Sequence, residues 1–161
     1  MGIILILGFL CALFQTHGII LSDEGEYAYN AFEIAKGTFE NGGHHFENRF
    51  GLLMPIAASL KLFGTKYWVF FLWSFVCFWA LIITNFYFLR TFSFKLAFYS
   101  SLLFAISPIF SWLALDIAPD LVMTTFIWMA VLGTFHFRNT QQNEAFGGFL
   151  VGLLFIHIKN D

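Results

Sequence analysis

An uncharged run at residues 67–89 constrains this chain more than any other feature. Its 23 residues carry only Ser74, Thr84 and Asn85 as notably polar members. A helix of that length rises about 34 Å at about 1.5 Å per residue. A bilayer's hydrocarbon core is roughly 30 Å thick, so the run predicts a transmembrane helix. Residues 96–115 form a second uncharged stretch, containing Pro108, and residues 121–137 a third, closed by Arg138. Residues 3–21 begin the chain with another apolar segment, interrupted by Gln15, Thr16 and His17. No Lys or Arg precedes it and no small-residue cleavage site follows, so it reads as a retained span rather than a signal peptide. Residues 146–158 are apolar over only 13 positions, too few to cross alone. The expected fold is an all-α polytopic membrane bundle over residues 1–161, the amino-terminal portion of something longer.

Composition removes the competing classes. With 59% apolar and 11% charged residues, the chain has less than half the charge of an ordinary soluble domain, which runs at about 25%. One soluble core of this size could not bury so much apolar surface. A net charge of −2 offers no polyanion footprint, so no nucleic-acid partner is expected. Cys11 and Cys77 both lie inside apolar runs and read as packed or lipid-facing thiols.

The charges that do exist are sorted by side. Arg90 and Lys95 lie in the short turn between the second and third spans, and Arg138 follows the fourth. Short basic loops mark the cytoplasm, which puts the amino terminus inside. Asp23, Glu24, Glu26, Asp116 and Asp120 then face outward, together with Lys36, Arg49, Lys61 and Lys66 of the outer loop, residues 22–66. That loop predicts two interfacial helices. The first sets Tyr27, Ala28, Ala31, Ile34 and Ala35 on one face and Glu26, Asn30 and Glu33 on another, stopping at Gly37. The second covers residues 51–63, is broken by Pro55 and Lys61, and stops at Gly64.

Carboxylates at a membrane boundary are costly unless they line a polar cavity or find partners. Asp23 and Glu24 follow one span and Asp120 precedes another on the same side, so the two loops could build one such cavity. Asp23 with Glu26 three residues on is equally a capping-box pattern. Arg49 is a cation suited to pairing with Asp23 or Glu24, or to receiving a phosphate. His44, His45 and Glu47 make no complete ligand set and read as solvated loop residues. No cofactor is therefore named, and a divalent metal stays open. His17, His136 and His157 stand alone near span ends and read as packing or interfacial residues.

In this order and position the motifs resemble the polyprenol-dependent glycosyltransferases of the GT-C superfamily. The match runs through Asp23-Glu24-Gly25-Glu26-Tyr27-Ala28, Ile34-Ala35-Lys36-Gly37 and Asn48-Arg49-Phe50-Gly51-Leu52. It continues through Leu62-Phe63-Gly64, Ser107-Pro108 and Ala118-Pro119-Asp120-Leu121. The nearest branch resembles the dolichyl-phosphate-mannose–protein mannosyltransferases and aminoarabinose transferases. His44-His45 departs from the His-Pro pair of many members, and only Lys159 approaches the family's later lysine.

The resemblance implies an integral, multi-pass enzyme of the cell envelope, in the plasma membrane if bacterial, with its active face outward. It would transfer a sugar with inversion from a polyprenyl-phosphate donor to a lipid, glycan or protein acceptor. Asp23 would be the general base and Glu24 would help orient it. Asp120 would hold the acceptor or a metal, Arg49 would face the departing phosphate, and Tyr27 and His45 would contact substrate. A non-catalytic helical membrane protein, such as a transport or assembly subunit or an inactive remnant, is the alternative. A transporter places ionisable residues at mid-span, whereas these lie at span ends.

Overall fold

The computed structural model describes residues 1–14 and 23–140, with side chains through residue 134. The chain is all-helical, and no strand occurs among the described residues. In order come α1 (Gly2–Phe14), α2 (Asp23–Lys36), α3 (Phe50–Phe63), a 3-10 turn (Tyr67–Val69), α4 (Leu72–Arg90), α5 (Phe94–Ile106), α6 (Pro108–Leu113) and α7 (Pro119–Thr140). Among the described residues, α4 alone is both long and apolar enough to cross a membrane by itself. α1, α3, α5 and the Pro119–Thr134 part of α7 are apolar but shorter. The incomplete segment at residues 146–158 lies outside the described residues.

The apolar stretch at residues 96–115 is two helices, not one. Ser107 has ψ 123°, an extended conformation, because the ring of Pro108 excludes the α region from the residue before it. Pro108 then opens α6 at a position where its missing N–H costs nothing. Ser111 spans the break, its Oγ donating to the Ser107 carbonyl at 2.9 Å. Pro55 behaves differently from expectation, since α3 continues through it. Proline's fixed φ suits a helix, and the cost is one lost backbone bond rather than a break.

α4 is the element that the others pack around. It forms a hairpin with α5 across a turn in which the Ser93 N–H reaches the Leu89 carbonyl at 3.0 Å. Inside that hairpin the Asn85 side-chain amide donates to Ser100 Oγ at 3.1 Å and Ser101 Oγ at 3.0 Å. On its other flank α4 meets α7, where the Thr125 hydroxyl donates to the Cys77 carbonyl at 3.3 Å. α1 packs chiefly on α5 and also touches α4, where the Phe9 ring lies 6.1 Å from the Phe75 ring. Cys77 is buried and Cys11 is half-buried, both as free thiols.

α2 and α3 pair with one another, and α3 joins them to α4 and α7. The buried face of α2 is Tyr27, Asn30 and Ala31. Asn30 lies between the two faces and is buried with Tyr27, while Glu26 is exposed and Glu33 half-buried. α2 ends as its glycine predicts. Gly37 has φ +81°, its N–H reaches the Ile34 carbonyl at 3.1 Å, and the Thr38 N–H reaches the Glu33 carbonyl at 3.1 Å. That is the paired hydrogen bonding of a Schellman turn.

Close approach of α1 to α5 depends on one glycine. A Cβ at Gly8 would lie 3.3 Å from the Ala105 Cβ and 3.5 Å from the Phe78 ring, whereas one at Gly2 would meet nothing. Gly8→Ile should therefore cost about 1–3 kcal/mol through overpacking. Gly2→Ile should cost much less, and thermal unfolding of the two variants in detergent compares them directly.

Candidate functional site

The first turn of α2 carries Asp23, Glu24 and Glu26, three acids where the positive end of the helix dipole favours them. Tyr27 lies one turn in from Asp23 and faces the core, only 2% exposed. After Gly37 the chain folds back on itself through a compact loop. The Gly43 N–H donates to Asn41 Oδ1 at 2.9 Å, with Gly43 at φ +84°. The Glu47 N–H donates to the His44 carbonyl at 2.9 Å, and the His44 N–H to Glu47 Oε2 at 3.3 Å. These local bonds return the loop across α2.

Two loop side chains land on Tyr27. The Phe46 ring meets it edge-on at 5.3 Å, and the Arg49 guanidinium carbon lies 5.3 Å from its centroid. This is cation–π range. Arg49 is held from the backbone side as well, since its carbonyl accepts the Leu52 and Leu53 N–H groups that start α3. His45 joins through Phe46, their rings 3.9 Å apart.

The third contribution comes from the α6–α7 connection. Its Ala118 N–H is held by the buried Ser74 hydroxyl of α4 at 3.4 Å, and Asp120 follows in the first turn of α7. The Tyr27 phenol registers all of these charges. Burial pushes its pKa above the ordinary 10.0, Arg49 pulls it back, and the carboxylates of Asp23 and then Asp120 push it up. Arg49 thus touches the Tyr27 ring, and Asp23 and Asp120 bear on its hydroxyl through their charge. Asp23, Arg49 and Asp120 are exposed, while the hydroxyl among them is buried and has no hydrogen-bond partner at proper geometry among the described residues.

Of the residues expected at a site, Asp23, Tyr27, Arg49 and Asp120 are gathered here, and His45 is attached through Phe46. Glu24 is half-buried on the same first turn of α2. His44 and Glu47 serve the loop's own hydrogen bonding. Among the described residues no three His, Cys, Asp or Glu side chains come close enough to hold a metal ion. His17, His157 and the side chain of His136 lie outside the described residues. Sequence reasoning did not assign a part to Phe46, the ring joining His45 to Tyr27. An apolar ring inside the polar stretch at residues 42–49 is the available signal. Asp116, buried at 6% exposure in the α6–α7 connection, was noted only as an outer-loop acid.

Compared with known proteins, the chain matches no family model, no curated protein and no solved structure.

A buried hydroxyl without a partner is destabilising, so its removal should not harm the fold. Tyr27→Phe should leave unfolding stability unchanged or raise it by about 1 kcal/mol. The raised phenol pKa has a pH consequence of defined sign. The folded state holds that proton more tightly than the unfolded state. Its contribution is complete below about pH 10 and is lost as pH rises through the raised value. Ultraviolet titration should show a late-ionising tyrosine that disappears in Tyr27→Phe.

Proposed function

We propose that this chain is part of a multi-pass membrane glycosyltransferase of the GT-C type, acting on the outer face with a polyprenyl-phosphate sugar donor. The observation that carries the reading is the grouping of Asp23, Arg49 and Asp120 around the Tyr27 hydroxyl. A base for the acceptor hydroxyl and a cation for the departing phosphate are what an inverting sugar transfer uses, and Asp23 and Arg49 can supply them. The membrane placement draws support from large apolar side chains exposed on several helices. Ile3 is 68% exposed on α1, Leu103 67% on α5 and Ile127 56% on α7. Exposed apolar area of this extent is costly in water and expected against lipid.

In the proposed reaction Asp23 accepts the proton of an acceptor hydroxyl as that oxygen attacks the anomeric carbon. The carbon–oxygen bond to the donor phosphate breaks, and its electron pair remains on the phosphate oxygen. Arg49 neutralises that growing negative charge. Asp120 holds the acceptor, or a divalent metal if one is used, while Glu24 orients Asp23. His45 contacts substrate from the loop, while Tyr27, buried against Arg49, supports that cation from below. The acceptor is a lipid, a glycan or a protein.

Membranes carrying the protein should transfer label from polyprenyl-phosphate sugars to an added acceptor. Asp23→Asn should reduce the rate by about 10²–10⁴-fold while leaving the protein folded, the loss typical of a missing general base. Transfer at the wild-type rate by a folded Asp23→Asn protein would refute the assignment. Topology is tested separately. Reporter fusions in the 91–95 turn should read cytoplasmic, and fusions in the 37–49 loop should read external.

A further inference from the structure

A groove with a volume of about 230 Å³ opens between α1, the 3-10 turn, α4 and the end of α6. Phe9 and Leu13 of α1 form one wall, Trp68, Phe71 and Phe75 another, and Leu115 a third. Its lining is almost wholly apolar, so it has nothing with which to orient a polar ligand. It is smaller than the roughly 300–1,000 Å³ of ordinary small-molecule pockets. One stretch of hydrocarbon chain suits it better than a whole ligand.

Two lysines adjoin the aromatic wall that carries Trp68. Lys66 precedes the 3-10 turn that carries Trp68, and its carbonyl accepts the Val69 N–H at 3.0 Å. Lys61 lies in the last turn of α3, whose Phe63 ring sits 5.7 Å from Trp68. Lys61 and Lys66 are exposed and, among the described residues, engage no acidic side chain. Tyr67 and Trp68, about half exposed, add the aromatic pair typical of a membrane–water boundary.

We propose that the groove between α1 and α4 takes one acyl chain of an anionic phospholipid, whose headgroup phosphate pairs with Lys66 and Lys61. This inference rests on the proposed membrane placement and not on the sugar chemistry. The site is separate from the charged cluster. Lys61 lies twelve residues beyond Arg49, about 18 Å along α3 at 1.5 Å per residue, so one lipid phosphate cannot serve both. Charge complementarity selects an anionic lipid over a zwitterionic one, because each cation near the surface adds attraction to a negative headgroup.

The test uses the protein reconstituted in vesicles of equal parts phosphatidylcholine and phosphatidylglycerol, with a trace of either lipid carrying a diazirine on one acyl chain. Irradiation and peptide mapping should place the phosphatidylglycerol probe on residues 9–13 and 68–75, several-fold above the phosphatidylcholine probe. Lys61→Gln with Lys66→Gln should abolish that preference and leave helix content unchanged. Leu13→Trp, at a half-exposed wall position, should reduce labelling several-fold by filling the groove. Equal labelling by both probes, labelling only elsewhere, or a preference that survives the double lysine variant overturns the proposal. So does displacement of the probe by a small amount of polyprenyl phosphate, which assigns the groove to that donor. Labelling requires no sugar transfer, so its failure leaves the transferase reading standing. Extraction of the protein by alkaline carbonate overturns the membrane placement and this site together.

Discussion

α4 joins its neighbours through three polar contacts, and the arrangement of the other helices depends on them. Asn85 ties it to α5, its Cys77 carbonyl receives Thr125 of α7, and Ser74 holds the backbone just before α7. Apolar packing alone fixes helix orientation poorly, because one branched side chain substitutes for another at modest cost. A buried amide or hydroxyl that misses its partner loses a hydrogen bond and keeps its desolvation penalty. These contacts therefore select one register among many that apolar surfaces would accept. The packing of α5 and α7 against α4 follows from it.

The charged cluster inherits its geometry from that register. Asp120 is set at the start of α7 by Ser74, while Asp23 and Tyr27 arrive on α2, which packs chiefly on α3. Arg49 occupies the junction where the loop becomes helix, so the turn that starts α3 also fixes its backbone. The outcome is a buried hydroxyl beneath exposed charges of both signs. Such an arrangement is unfavourable for stability taken alone.

Several of these features were legible in the residues. Gly37 and Gly64 end helices where their sequence positions predict, because each adopts a φ that other residues resist. The 67–89 run gives α4 with a short 3-10 lead-in, since an uncharged stretch satisfies its backbone only by helical bonding wherever water is absent. Asn30 and Pro55 were harder. An asparagine at a buried position looks like any other polar residue until its helix phase is fixed by Tyr27, and a proline reads as a break until tertiary packing outweighs its lost hydrogen bond. Ser107 shows the reverse case, where a strictly local rule about the residue before proline divided a stretch that hydropathy alone would leave whole.

The sequence by itself determined the helical class, the stops of α2 and α3 and the placement of acids at helix starts. Each depends on interactions within a few residues, or on the cost of burying charge. Only the tertiary structure decided that Asp23, Arg49 and Asp120 act on the same hydroxyl, with Phe46 linking His45 to them. That grouping brings together residues almost a hundred positions apart. Helix packing through Ser74, Asn85 and Thr125 selects it, and no local pattern encodes it.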